Sequence, residues 1–246
     1  MAVRNIKLTV SYDGSSYHGW QIQPESKTVQ GILAGAVSDL IGWPVSITGA
    51  SRTDAGVSAL GQAAAMQIES PIPTENLAKA ITQRLPDDIA VSQAVEMPAD
   101  FDVISHVKSK LYRYTIFIGK TRPVLEIRHC WHLTKKPDVS LMAQAAGYLV
   151  GKKDFKSFAS AADERLSSVR TVLRCDVTSD NDKIYFDVEG DGFLYNMVRN
   201  IVGTLVEVGL GRLMPSDIEP ILEAKDRTAA GPIAPAAGLC LMWIKY

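Results

Sequence analysis

Gly49-Ala50-Ser51-Arg52-Thr53-Asp54-Ala55-Gly56-Val57 separates two runs that read as strands. Val45–Ile47 enters the stretch with apolar, β-branched residues, and Gln62–Ile68 leaves it. Between them small side chains turn the backbone, and glycine permits a positive φ there. The turn carries an Arg, a Thr and an Asp with almost no bulk around them. Carboxylates that do chemistry sit on such loops, held in place by a rigid sheet. An Asp close to a Gly is equally a common turn pair with no further role. Asp54 is thus a candidate functional carboxylate, and the plain turn stands beside it as the alternative.

Outward from this loop the chain alternates strands and helices. Val3–Tyr12 alternates apolar and polar residues, the period of a half-buried strand. Val29, Ile32, Leu33, Ala36, Val37, Leu40 and Ile41 recur at helical spacing, with Thr28 placed to cap. Thr74–Leu85 reads as a second capped helix and Ile89–Glu96 as a strand. The second half repeats the alphabet: Lys110–Ile118 is a strand, Ser140–Val150 a helix, and Val169–Val177 with Ile184–Val188 a strand pair around a turn at Ser179–Lys183. Phe193–Val208 predicts a long helix, Pro215–Ala224 another, and Leu239–Lys245 a last strand. Short turns between strands favour antiparallel pairing. The expected class is α+β, with two α/β subdomains, residues 1–102 and 103–246, around a mostly antiparallel central sheet with flanking helices.

The predicted helix from Phe193 supplies a second clue. Between Gly192 and Val206 its only charged residue is Arg199, among Met197, Val198, Ile201, Val202 and Leu205. A cation on so apolar a helix needs a carboxylate or a route to water, because an unpaired buried charge costs several kcal/mol. Asp54 suits it, since the planar guanidinium matches a carboxylate in bidentate fashion. Such a pairing would keep the acid ionised as a nucleophile or base. Snorkelling of Arg199 to solvent is the other reading.

The chain has 246 residues and a formal net charge of -1, so bulk charge points to no RNA partner. Its distribution is more telling. Eight basic residues (Lys108, Lys110, Arg113, Lys120, Arg122, Arg128, Lys135, Lys136) face one acid, Glu126, between Ser105 and Lys136: 8 − 1 = +7. Such a segment neutralises phosphates where its cations share a face, or protects a strand edge. Within it, Tyr112 and Tyr114 fall on one side of a strand, where a ring can stack on an unpaired base. Cys130, Cys175 and Cys240 lie far apart and read as buried thiols. His129-Cys130-x-His132 matches no standard zinc spacing and reads as a partly buried strand. A start without a signal-peptide core, and no apolar run of about 20 residues, point to a soluble, cytoplasmic protein with no membrane partner.

Taken in order, the motifs resemble the TruA-type transfer RNA pseudouridine synthases. Arg52-Thr53-Asp54-Ala55-Gly56-Val57 with Gly61-Gln62 is similar to their catalytic motif, and Ser11-Tyr12-Asp13-Gly14 with Tyr17-x-Gly19-Trp20-Gln21 to their opening strand and loop. Tyr112-Arg113-Tyr114, Asp154-Phe155-x-Ser157-Phe158, Arg170-Thr171-Val172, Asn196-Met197-Val198-Arg199-Asn200, Ala224-Lys225-Asp226-Arg227 and Ala237-Gly238-Leu239 follow at matching places. The resemblance implies that Asp54 is the essential catalytic aspartate and that Arg52 helps displace the target nucleotide. It implies that Tyr112 stacks on the flipped uracil and that Arg199 pairs with the aspartate. It further implies uridines 38, 39 and 40 of the tRNA anticodon arm as targets, a homodimer, neither metal nor organic cofactor, and a catalytic cleft between the two halves. Ser58 stands where the family usually has His.

Two rival readings remain at this level. A non-catalytic RNA-binding module would bind without isomerising. An aspartic hydrolase would need two carboxylates sharing a proton, and Asp54-Ala55-Gly56 supplies one.

Overall fold

The computed structural model describes residues 2–246, which divide into two compact units. The first holds the chain up to Lys108 together with Leu241–Tyr246, and the second holds Ser109–Cys240. The break falls after Lys108, and the last six residues return to the first unit. Packing accounts for both: Tyr246 donates its hydroxyl to Val103 O at 2.8 Å, and Ile244 and Tyr246 cover a buried cluster of Ala50, Ala63 and Val103. Lys108 N also donates to Lys245 O at 2.9 Å.

In the first unit, β1 (Arg4–Tyr12) pairs antiparallel with β3 (Ser58–Ile68) on one side and β4 (Ile89–Met97) on the other. A short β2 (Ile47–Gly49) extends along β3. Ile6, Leu8 and Val10 are fully buried, so the alternation along β1 sends one face into the core. Helix α1 (Val29–Ile41) presents Val29, Leu33 and Val37 to that core, and Thr28 caps it by accepting from Gly31 N. Helix α2 (Thr74–Thr82) starts as expected, but Pro73 holds its cap position without a side-chain bond. The Thr74 hydroxyl bonds instead to Glu96 and Arg4, whose guanidinium also ties down Ser70 O and Ile72 O.

In the second unit, β5 (Ser109–Ile118), β9 (Lys183–Gly190), β8 (Val169–Asp180) and β7 (Gly151–Asp154) pair antiparallel in that order. A short β6 (Trp131–Leu133) runs parallel to β5. Helices α3 (Val139–Gly147), α4 (Met197–Gly209) and α5 (Ile218–Ala224) complete it, and β10 (Leu239–Lys245) leads the chain back to the first unit. The α+β class and the mostly antiparallel sheet hold. Strand β7 had no sequence signal, because Gly-Lys-Lys-Asp shows no apolar alternation and only pairing with β8 extends it. Helix α4 begins at Met197, four residues later than its apolar pattern predicts. Asn196 adopts φ +62, and Tyr195 N is taken by Asp163 instead of a helical carbonyl.

Candidate active site

The Asp54 loop is pinned from several directions within the first unit. Gln62 on β3 is wholly buried; its amide accepts from Ser51 N at 3.2 Å and donates to Ser51 O at 2.6 Å. Tyr12 and Thr53 share a hydroxyl–hydroxyl bond of 2.8 Å, and Thr53 O accepts from Trp20 N at 3.0 Å. Val57 N donates to Asp54 O at 3.1 Å, closing a turn whose third residue, Gly56, sits at φ +78. That is the position of a type II turn that asks for glycine. The loop therefore contacts its surroundings chiefly through backbone, which leaves Arg52 exposed and Asp54 half-buried. Ser58 is buried, and its hydroxyl accepts from Gly14 N at 3.0 Å. The residue that replaces the expected imidazole thus fastens the Asp13–Ser16 turn to the start of β3.

The second unit carries the other two predicted residues. Tyr112 on β5 is 6% exposed, and Phe193 meets its ring edge-on with centroids 5.3 Å apart. Arg199 lies in the first turn of α4, a helix in which ten of thirteen residues are buried. Its Nε donates to Ala234 O at 2.8 Å and its Nη1 to Asn196 Oδ1 at 3.0 Å. Those neutral acceptors aim the guanidinium. Arg113, counted among the basic residues of the 105–136 segment, forms a two-pronged pair with Asp187 on β9, both bonds at 2.7 Å. Lys120, Arg122, Arg128, Lys135 and Lys136 remain exposed, and Glu126 pairs with Lys183. Lys110 differs from these: burial, then the nearby charge of Arg165, pushes its ammonium down to about 8.

His132 bonds Gly119 O at 2.7 Å, and Cys130 is buried beside β6. No cluster of three His, Cys, Asp or Glu side chains suited to a metal occurs among the described residues. No helix among them is long and apolar enough to cross a membrane.

A family model described as tRNA pseudouridine synthase matches residues 8–104 and 145–246. The chain belongs to the tRNA pseudouridine synthase family. Membership makes it an enzyme, an isomerase acting on tRNA. The chain is 43% identical over 244 residues to tRNA pseudouridine synthase A of Caldicellulosiruptor saccharolyticus, covering 99% of this chain and all of that one. It is 46% identical over 243 residues to the protein of the same name from Moorella thermoacetica, covering 98% and 99%. The pseudouridine synthase model leaves out residues 105–144, the stretch with Tyr112 and the exposed cations Lys108, Lys120, Arg122, Arg128, Lys135 and Lys136. Sequence reasoning left Tyr12 and Gln62 without roles in this synthase, visible only as letters of a motif, and marked Ser58 only as a departure from the family's usual His. A buried Gln opposite a glycine-flanked turn is the signal that could have marked the strap.

Proposed function

We propose that this tRNA pseudouridine synthase converts uridines 38, 39 and 40 of the anticodon arm, with Asp54 as its catalytic carboxylate. The observation that carries the reading is the turn at 52–57, held by Gln62 and Tyr12 so that the Asp54 carboxylate is presented by a fastened backbone. The family likeness matches Arg199 to the arginine that accompanies the catalytic aspartate.

Inside a stem the target nucleotide is stacked, so it must first be turned out, at a cost of a few kcal/mol. Arg52, exposed beside Asp54, takes part in that displacement, and Tyr112 receives the flipped uracil. The N1–C1′ bond then breaks, the uracil rotates, and C5 bonds to C1′; N1 gains a proton and the C5 proton leaves. Asp54 acts either by attack on C1′ or by removing the C2′ proton. Both routes require water to be kept away, because water at C1′ would yield abasic RNA. The enzyme works as a homodimer and needs no metal or organic cofactor.

The site assignment is tested with tRNA transcripts that carry uridine at only one of positions 38, 39 and 40. Pseudouridine mapped at each of the three, and at no uridine of the other arms, is the expected result. Modification confined to another arm would overturn the anticodon assignment while leaving the family untouched.

A further inference from the structure

The seven residues from Phe193 to Arg199 link two parts of the proposed site. Phe193 packs on Tyr112, and Arg199 opens α4. Between them Tyr195 is 44% exposed, whereas Leu194, Met197 and Val198 of the same segment are buried. Its main chain is nevertheless held on both sides. Ser160 N donates to Tyr195 O at 2.9 Å, and Tyr195 N donates to Asp163 Oδ2 at 2.6 Å.

The same Asp163 carboxylate, whose side chain is 5% exposed, accepts from Arg165 Nη1 at 2.7 Å and from Arg165 N at 3.0 Å. Burial alone would raise this acid. The N–H groups of Tyr195 and Arg165, with the charges of Arg165 and Arg170, outweigh that and hold it below the usual carboxylate range. One carboxylate therefore ties an exposed aromatic residue to a guanidinium that is itself 46% exposed. The charge of Arg165 also reaches Lys110, which lies on the Tyr112 side of β5.

An aromatic face and a cation tied to one carboxylate match the two ends of a nucleotide, its base and its phosphate. We propose that Tyr195 and Arg165 form a subsite for one unpaired nucleotide flanking the target uridine, the base stacking on Tyr195 and the phosphate pairing with Arg165. The inference rests on the reading of Tyr112 and Arg199 as parts of the RNA site. It gives the Phe193–Arg199 segment two tasks, one on the flipped uridine and one on its neighbour.

Binding of an anticodon-arm hairpin at several salt concentrations tests it, alongside tritium release from C5-labelled hairpin and thermal melting of each variant. Tyr195→Ala should weaken binding by roughly 5- to 150-fold with an unchanged salt slope, as loss of one stacked base would. Tyr195→Phe, which keeps the ring, should stay within about two-fold of the parent. Arg165→Gln should weaken binding and make the log–log salt slope shallower by about 0.7–1. Parental affinity for Tyr195→Ala, an equal loss for Tyr195→Phe, or an unchanged slope for Arg165→Gln would each overturn the subsite. If the unaltered protein binds the hairpin but releases no tritium, the isomerase reading fails, and the binding results still decide the subsite.

Discussion

Gln62 spans both the N–H and the C=O of Ser51, and no water can replace it there because its side chain is fully buried. Gln62→Leu would leave two backbone groups unpaired, at about 1–3 kcal/mol each. A lowered melting temperature and at least a ten-fold loss of turnover are expected, with RNA affinity close to the parent's. Gln62→Glu should fall between the two, since a carboxylate can accept from Ser51 N but cannot donate to Ser51 O. Parental turnover in Gln62→Leu would show that the strap does not position Asp54. Lys110 provides a pH-dependent counterpart. Its folded value of about 8 lies below the ordinary 10.5, so between those limits the unfolded chain binds more protons. Stability contributed by this group therefore rises with pH over that window. The difference in unfolding free energy between the parent and Lys110→Met should shift in the parent's favour from pH 7.5 to 9.5, as followed by denaturant titration.

At the scale of elements, the placement of Arg199 depends on how closely the 231–234 segment lies against α4. A Cβ built on Gly203 would stand 1.7 Å from Pro232 O, and Ala234 exchanges bonds with Arg199 through both its N and its O. Gly203→Ala should push that segment away, lowering both stability and turnover. Gly147 at the end of α3 meets nothing within 4 Å, and Gly147→Ala should be neutral or stabilise by about 0.5–1 kcal/mol. Paired melting curves and turnover assays of the two variants check the contrast. Helix α1 and strands β1, β4 and β10 were legible because each buries one periodic face, which the sequence records directly. Strand β7 and the late start of α4 were not, since a neighbouring strand and the Asp163 side chain impose them from a distance. The Asp54 loop was readable as a turn carrying a carboxylate, but its fastenings lie on β1 and β3, beyond any local pattern. Of the +7 in the 105–136 segment, Arg113 is committed to Asp187, a pairing across β5 and β9 that only the strand register reveals.

For the molecule as a whole, a net charge of -1 conceals a concentration of exposed cations at Lys120, Arg122, Arg128, Lys135 and Lys136. Replacing two of them by Gln should weaken RNA binding and make the salt slope shallower by about 0.7–0.9 for each phosphate no longer neutralised, with the rate at saturating RNA unchanged. Asp54→Asn should do the reverse, sparing affinity while removing chemistry. The most direct check is tritium release from an anticodon-arm RNA labelled at uridine C5, measured in single turnover for the parent and for Asp54→Asn at RNA concentrations where both are saturated. The account predicts stoichiometric release by the parent and none by the variant; release by the variant at a rate within about ten-fold of the parent's would contradict it.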